Sequence, residues 1–241
     1  MTTTNVRMHV FEHAEDVARA AADLLGEEVS AQREIALALP TGRTPIPFYD
    51  ELAARHVSRR LDLSRARGFN LDELVLPPED PRTFRTFMAR HAWARTGLRR
   101  ERCDLPNGAA GDLEAECLRY ERAITEAGGL GVAILGVGVD GHIAYNMPGL
   151  VRLGTHVTRL PDGLAASLAV PPEDWPLRAI TMGIGTIRAA RRILVLATGE
   201  SKTTAVQRLV RGPDDPHWPC SFLHTHPHLD LVADRAAASA L

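Results

Sequence analysis

The feature that most constrains this chain is an apolar run ending in a tight glycine turn, Leu130-Gly-Val-Ala-Ile-Leu-Gly-Val-Gly-Val-Asp-Gly-His142. A short aliphatic, β-branched run of this kind reads as a buried strand of a parallel sheet. Gly136, Gly138 and Gly141 then let the backbone turn sharply and come close to a ligand. Asp140 and His142 follow just past the strand end, where ligands bind in open α/β sheets. A carboxylate beside a histidine fixes the ring's tautomer and holds a proton on it. A glycine turn with a solvated Asp and His has the same spacing, so the reading depends on what the rest of the chain supplies.

The 241 residues suit a single α/β domain spanning 1–241. Net charge is −2 and no basic excess points to nucleic acid. No apolar run approaches a membrane span, and Met1-Thr-Thr-Thr-Asn5 lacks the basic and apolar regions of a signal peptide. A cytoplasmic location is expected, with Cys103, Cys117 and Cys220 as buried free thiols. Of 28 basic residues only Lys202 is a lysine, and it stands in a Gly-Glu-Ser-Lys segment.

Phe11 to Leu25 has helical spacing, with Gly26 as its expected stop. Glu34 to Leu39 reads as a buried strand, then comes Pro40-Thr-Gly-Arg-Thr-Pro45 and a helix from Ile46 to about His56. Strand, polar glycine loop and helix form an anion-binding arrangement, with Thr41, Gly42 and Thr44 as candidate phosphate contacts. A short strand near Gly68 to Leu74 delivers Asn70, Asp72 and Glu73 to a proline-rich loop; alternation puts Asn70 and Asp72 on one face. Phe84 to Ala94 reads as a helix with a core stripe, and Asp112 to Ala127 as an amphipathic helix. Gly149 to Pro172 reads as an irregular loop or mobile cover. Ala179 to Gly185 and Arg192 to Ala197 read as strands around a short helix, and Thr198-Gly-Glu-Ser-Lys202 opens a helix through Arg208. A cation there is unfavourable with the helix dipole unless an anion is bound. His224, His226 and His228 lie within five residues, but no carboxylate or Cys spacing supports a known metal site.

Four segments in order, Leu39-Pro-Thr-Gly-Arg-Thr-Pro45, Phe69-Asn-Leu-Asp-Glu73, Gly138-Val-Asp-Gly-His-Ile-Ala-Tyr-Asn146 and Gly199-Glu-Ser-Lys202, resemble the glucosamine-6-phosphate deaminase/isomerase family, more distantly related to 6-phosphogluconolactonases. The resemblance runs from about Val10 to Asp234. It implies a modified Rossmann-like three-layer α/β sandwich around a mainly parallel sheet, acting on a small sugar phosphate without metal or organic cofactor. It puts the C2 proton-abstracting carboxylate at Asp72, the ring-opening histidine at His142 and its partner at Asp140. The phosphate falls to Gly42, Arg43, Thr44 and Lys202. Thr41, Glu73, Gly138, Ala144, Tyr145 and Met147 complete the implied pocket. Members range from monomers to hexamers, which leaves a homo-oligomer open.

Three departures bear on function. Where the deaminases read Asn-Glu-Pro, completing an Asp–His–Glu relay, this chain has Asn146-Met147-Pro148. A thioether accepts hydrogen bonds poorly, which leaves His142 to Asp140 alone. The family's extra phosphate-binding arginine, expected near Ser167, has no counterpart among Ala165, Ala166 and Leu168. Arg43 replaces the second glycine of the usual Thr-Gly-Gly-Thr-Pro loop and can bind phosphate bidentately. The resulting expectation is a hexosamine 6-phosphate enzyme whose C2 deprotonation leads to isomerisation and deamination or to C2–C3 dehydration. A 6-phosphogluconolactonase and a non-catalytic sugar-phosphate sensor are the alternatives.

Overall fold

In the computed structural model, which describes residues 5–241, strands and helices alternate along the chain. Residues 1–4, which hold most of the segment read above for a signal peptide, lie outside the described residues. The first half comprises β1 (Val6–Phe11), α1 (Ala14–Ala31), β2 (Ala36–Leu39), α2 (Ile46–Val57), β3 (Arg67–Asn70), β4 (Asp72–Leu74), α3 (Phe84–His91), β5 (Cys103–Asp104) and α4 (Leu113–Glu126). The second comprises β6 (Val132–Gly136), β7 (His156–Arg159), α5 (Asp162–Ser167), β8 (Arg178–Thr181), α6 (Ile184–Arg188), β9 (Arg192–Ala197), α7 (Thr203–Arg211) and β10 (Leu229–Asp234).

Seven strands form one sheet in the order β1-β10-β9-β6-β2-β3-β5, and every pairing in it is parallel. Side-chain alternation divides the core into two layers. On β2, β6 and β9, Ala38, Leu135 and Val195 face the side covered by α4, α6 and α7. Leu37, Ile134 and Leu194 face the side covered by α1, α2 and α3. Each fully buried aliphatic side chain contributes about 1.5–3 kcal/mol, so both helix layers are held by the apolar runs legible in the sequence. A second sheet, β4-β8-β7, is antiparallel and carries a smaller core of its own with α5.

The order in which the chain adds strands reverses between β2 and β6. From β2 the chain proceeds through β3 to β5 on one side; from β6 it proceeds to β9 and β10 on the other. Such a switch point opens a crevice at the carboxyl ends of its strands.

Several elements differ from the expectations. Helix α1 runs through Gly26 to Ala31, because Val29 continues the buried stripe of Ala22 and Leu25 and outweighs the helix penalty of one glycine, about 1 kcal/mol. The strand expected over 68–74 is two strands: the Leu71 N–H donates to the Leu39 carbonyl, and the chain then leaves the parallel sheet to pair with β8. Gly149 to Pro172 is not irregular, for it contains β7 and α5. Its strand buries His156 and Thr158 rather than aliphatic residues, so it lacks the apolar alternation that announces a strand. The strand expected over 179–185 ends at Thr181, and Gly185 belongs to α6. Two of the three histidines of the carboxyl-terminal segment have structural partners: His224 Nδ1 donates to the Ser221 carbonyl (2.5 Å) and His226 Nε2 to the Ala190 carbonyl (2.8 Å).

Candidate active site

A cavity of about 320 Å³ lies over the switch point, and four strand ends supply its polar groups. The loop after β2 gives Thr41, Gly42, Arg43 and Thr44; β4 gives Asp72; the turn after β6 gives Gly138, His142, Ala144 and Tyr145; the loop after β9 gives Lys202. Residues separated by up to 161 positions in sequence (Thr41 to Lys202) meet because parallel strands deliver all their carboxyl ends to one edge.

The turn after β6 is built to present the histidine. Asp140 Oδ1 accepts from the His142 backbone N–H (3.2 Å) and from ring Nδ1 (2.6 Å). Nδ1 therefore carries the proton and Nε2 is left for the pocket. Burial acts to raise the Asp140 pKa, but the hydrogen bonds and charge of His142 outweigh it and hold the group below its ordinary value. Gly138 is required here: a Cβ would stand 2.3 Å from His142 Nδ1 and 2.6 Å from Asp140 Oδ1. Ala144 holds a left-handed φ of +50°, which an alanine adopts at a cost of order 1 kcal/mol. Its neighbours pin it there. Asn146 Nδ2 donates to the Ile143 and Met182 carbonyls, and the Tyr145 N–H donates to Thr181 Oγ1.

Asp72 is only 5 % exposed, and its Oδ1 makes no hydrogen bond within the protein. Burial first, and then the neighbouring Glu73, push its carboxyl up to about 8, with the Thr41 hydroxyl pulling the other way. A carboxyl of this kind is a proton acceptor tuned to neutral pH. On the same cavity, Gly42 (φ +102°) turns the chain into α2, and Lys202 stands half-buried at the start of α7. Burial lowers the Lys202 pKa and the charge of Asp140 opposes that shift. Among the described residues neither Arg43 nor Lys202 forms an ion pair, so both cations are free for an anion.

Two expected pocket residues stand elsewhere. Glu73 alternates away from Asp72 and accepts from the N–H groups of Leu74 (2.8 Å), Phe84 (2.7 Å) and Arg85 (2.9 Å), so it caps α3. Met147 packs against the apolar cluster that contains Leu74, Phe84 and Tyr145. Asp140 stands behind His142 rather than on the wall. In return the wall includes Leu71, Phe84, Val139, Leu164 and Leu168, which the sequence reading did not assign to it. Phe84 read as core, and Leu164 and Leu168 belong to the segment read as irregular; an isolated Leu gives no signal of lining a site.

The chain matches the model of the family described as glucosamine-6-phosphate isomerases/6-phosphogluconolactonase over residues 10–232. It is 42 % identical to glucosamine-6-phosphate deaminase 1 of Giardia intestinalis, over 95 % of this chain and 88 % of that one. It is 36 % identical to the glucosamine-6-phosphate deaminase of Halothermothrix orenii, over 98 % and 100 % of the two chains. A solved structure described as a monomeric glucosamine-6-phosphate deaminase superposes with a TM-score of 0.90 at 33 % identity, covering 98 % of this chain and 100 % of that one. The 6-phosphogluconolactonase of Trypanosoma brucei shares the fold, with a TM-score of 0.76 at 20 % identity over 99 % and 100 %. Strand ends, glycine turns and relatives agree: this chain belongs to the glucosamine-6-phosphate isomerase/6-phosphogluconolactonase family.

Proposed function

We propose that this protein binds a hexosamine 6-phosphate, opens its ring through His142 and takes the C2 proton with Asp72. The observation that carries the reading is Asp72 itself, a buried carboxyl whose Oδ1 has no partner, on a cavity also lined by a glycine loop and by Arg43 and Lys202. The phosphate is held by Gly42, Arg43, Thr44 and Lys202, with charge-assisted bonds from the two cations. Ring opening moves a proton from the C1 hydroxyl to the ring oxygen, and His142 Nε2 relays it while Asp140 steadies the imidazolium. Asp72 then takes the proton from C2, and the electron pair moves toward the C1 aldehyde as an enediol-like intermediate forms.

Two exits follow. With a free amine at C2, reprotonation at C1 leaves an imine at C2; water adds, ammonia leaves, and the product is fructose 6-phosphate. The curated relatives named as glucosamine-6-phosphate deaminases support this exit. With an N-acyl group at C2, the C2 pair forms a C2=C3 double bond, the C3–O bond breaks, and the C3 hydroxyl takes a proton and departs as water. Met147 supports this second exit: it lies in an apolar cluster at the position where the resemblance calls for a glutamate, leaving Asp140 as the carboxylate bonded to His142.

Proton NMR in D2O tests the reading. Glucosamine 6-phosphate and N-acetylglucosamine 6-phosphate are incubated separately with the protein and with Asp72→Asn. Loss of the C2 proton signal with wild type and its retention with the variant is expected. Fructose 6-phosphate from the amine identifies deamination, and a vinylic proton from the amide identifies dehydration. Unchanged C2 signals with both sugars would overturn the proposal.

A further inference from the structure

We infer that Thr181 is a positioning residue that fixes the spacing between the two halves of the active site, the strand that carries Asp72 and the turn that carries His142. The inference rests on the reading that His142 opens the ring and Asp72 takes the C2 proton, and it adds the side chain that holds the two in register. Thr181 is fully buried at the end of β8 and does not itself line the cavity.

One contact faces each half. Across the small antiparallel sheet Thr181 stands directly opposite Asp72. The Met182 N–H donates to the Leu71 carbonyl (2.7 Å) and the Val75 N–H to the Arg178 carbonyl (2.9 Å), and antiparallel pairs alternate between bonded and non-bonded. Asp72 and Thr181 are therefore a non-hydrogen-bonded pair, the kind whose Cα atoms stand about 4.5 Å apart with both side chains on one face. From that face Thr181 Oγ1 accepts from the N–H of Tyr145 (3.0 Å), in the turn that carries His142. Met182 adds a second tie, since its carbonyl accepts from Asn146 Nδ2 (2.7 Å).

The turn depends on such a hold. Ala144 keeps a left-handed φ of +50°, which a non-glycine residue retains only where its surroundings fix it. Tyr145 is buried, so without the threonine oxygen its N–H loses its partner and the turn shifts to find another. A shift of the turn moves His142 while Asp72 stays in its ladder, and the base and the ring-opening group no longer fit one substrate pose. The phosphate contacts proposed above lie on the loop after β2 and at the start of α7, and none is bonded to Thr181. The cost of losing the hydroxyl therefore falls on kcat rather than on KM.

The test measures C2 proton exchange in D2O with Thr181→Val, which keeps the branched shape and removes the oxygen, and with Thr181→Ser, which keeps the oxygen. Thr181→Val is expected to lower kcat by about tenfold or more, because a misplacement of order 1 Å costs up to about 10²-fold, and to leave KM within about threefold of wild type. Thr181→Ser should keep kcat within about threefold of wild type. The inference is overturned if Thr181→Val keeps kcat within that same range, if KM rises as much as kcat falls, or if Thr181→Ser is as slow as Thr181→Val. Where the circular dichroism spectrum of Thr181→Val departs from wild type, Thr181→Ala is set against Thr181→Ser, since both lack the methyl and only one has the oxygen. Thr181→Ala should then be about tenfold slower than Thr181→Ser, and equal kcat values would overturn the inference. Absence of exchange in wild type with both glucosamine 6-phosphate and N-acetylglucosamine 6-phosphate would instead defeat the C2-deprotonation reading. Amide hydrogen exchange then still decides the role of Thr181: the Tyr145 amide should exchange about tenfold faster or more in Thr181→Val than in wild type, and equal rates would overturn it.

Discussion

Asp72 serves chemistry at the expense of stability. Its carboxyl is buried without a partner for Oδ1 and is raised to about 8, whereas the unfolded chain ionises it near 3.8. Between those values the folded state keeps a proton that the unfolded state has lost, so stability conferred at low pH is withdrawn as pH rises toward 8. Asp72→Asn removes that dependence. The variant should match wild type in Tm near pH 4 and exceed it by several degrees at pH 8, as thermal unfolding across that range would report. A variant less stable than wild type at pH 8 would contradict the burial account. Its C2 exchange should fall by about 10²–10⁴-fold, the usual scale of a lost general base. In wild type, kcat/KM should rise with pH along a limb governed by the same group. His142 and Lys202 are legible because one follows a strand at a glycine turn and the other begins a helix, and Asp72 because it stands just past the end of a short strand, positions where a charged side chain needs a reason. Glu73 enters the implied pocket with the Phe69-Asn-Leu-Asp-Glu73 motif; the strand period of two sends it to the opposite face from Asp72.

At the scale of elements, that same Glu73 ties the small antiparallel sheet to α3. Its carboxylate accepts from three backbone N–H groups while only 4 % exposed, and burial, which acts to raise its pKa, is opposed by those bonds. Glu73→Ala leaves the α3 donors buried and unpaired, and should cost about 2 kcal/mol or more in urea unfolding. Glu73→Gln, which keeps an acceptor, should cost less. The loop after β2 makes a separate prediction. Arg43→Gly should raise the KM for a phosphorylated hexose by about tenfold, the scale of one lost charge-assisted bond, with little change in kcat. An unchanged KM would mean that Lys202 and the loop backbone hold the phosphate without it. The same scale shows why the α5 segment escaped the sequence reading. Its helix is one and a half turns long and the preceding strand buries a histidine and a threonine, so neither period is expressed in apolar residues.

Across the whole molecule the two ends of the sheet carry opposite assignments: the carboxyl ends of the strands hold the cavity, and the amino ends hold an ionic clamp. Asp230 on β10 is fully buried and accepts from Arg7 (2.9 Å) and His9 (2.8 Å) on β1 and from Arg192 (2.9 Å) on β9. Arg192 extends the clamp to Glu28 of α1 at 3.0 Å. The clamp joins the edge strand β1 to the sheet through one carboxylate, in the order β1-β10-β9. Burial acts to raise the Asp230 pKa, but Arg192, His9 and Arg7 together hold it below its ordinary value. A depressed carboxyl stabilises the fold above its unfolded value of 3.8 and ceases to do so as pH falls through the lower folded value. Its pH dependence is thus opposite in sign to that of Asp72. Asp230→Ala removes the shared acceptor of Arg7, His9 and Arg192, although Arg192 keeps Glu28 and Arg7 reaches solvent, and should cost about 2 kcal/mol or more at pH 7. That loss should shrink below pH 4, where the wild-type carboxylate itself takes up a proton. KM for the sugar phosphate should stay within twofold of wild type, because no cavity residue touches the clamp. Urea midpoints at pH 3, 5 and 7, with KM at pH 7, decide it: a stability loss independent of pH would make the clamp a packing effect, and a raised KM would mean that the two ends of the sheet are coupled.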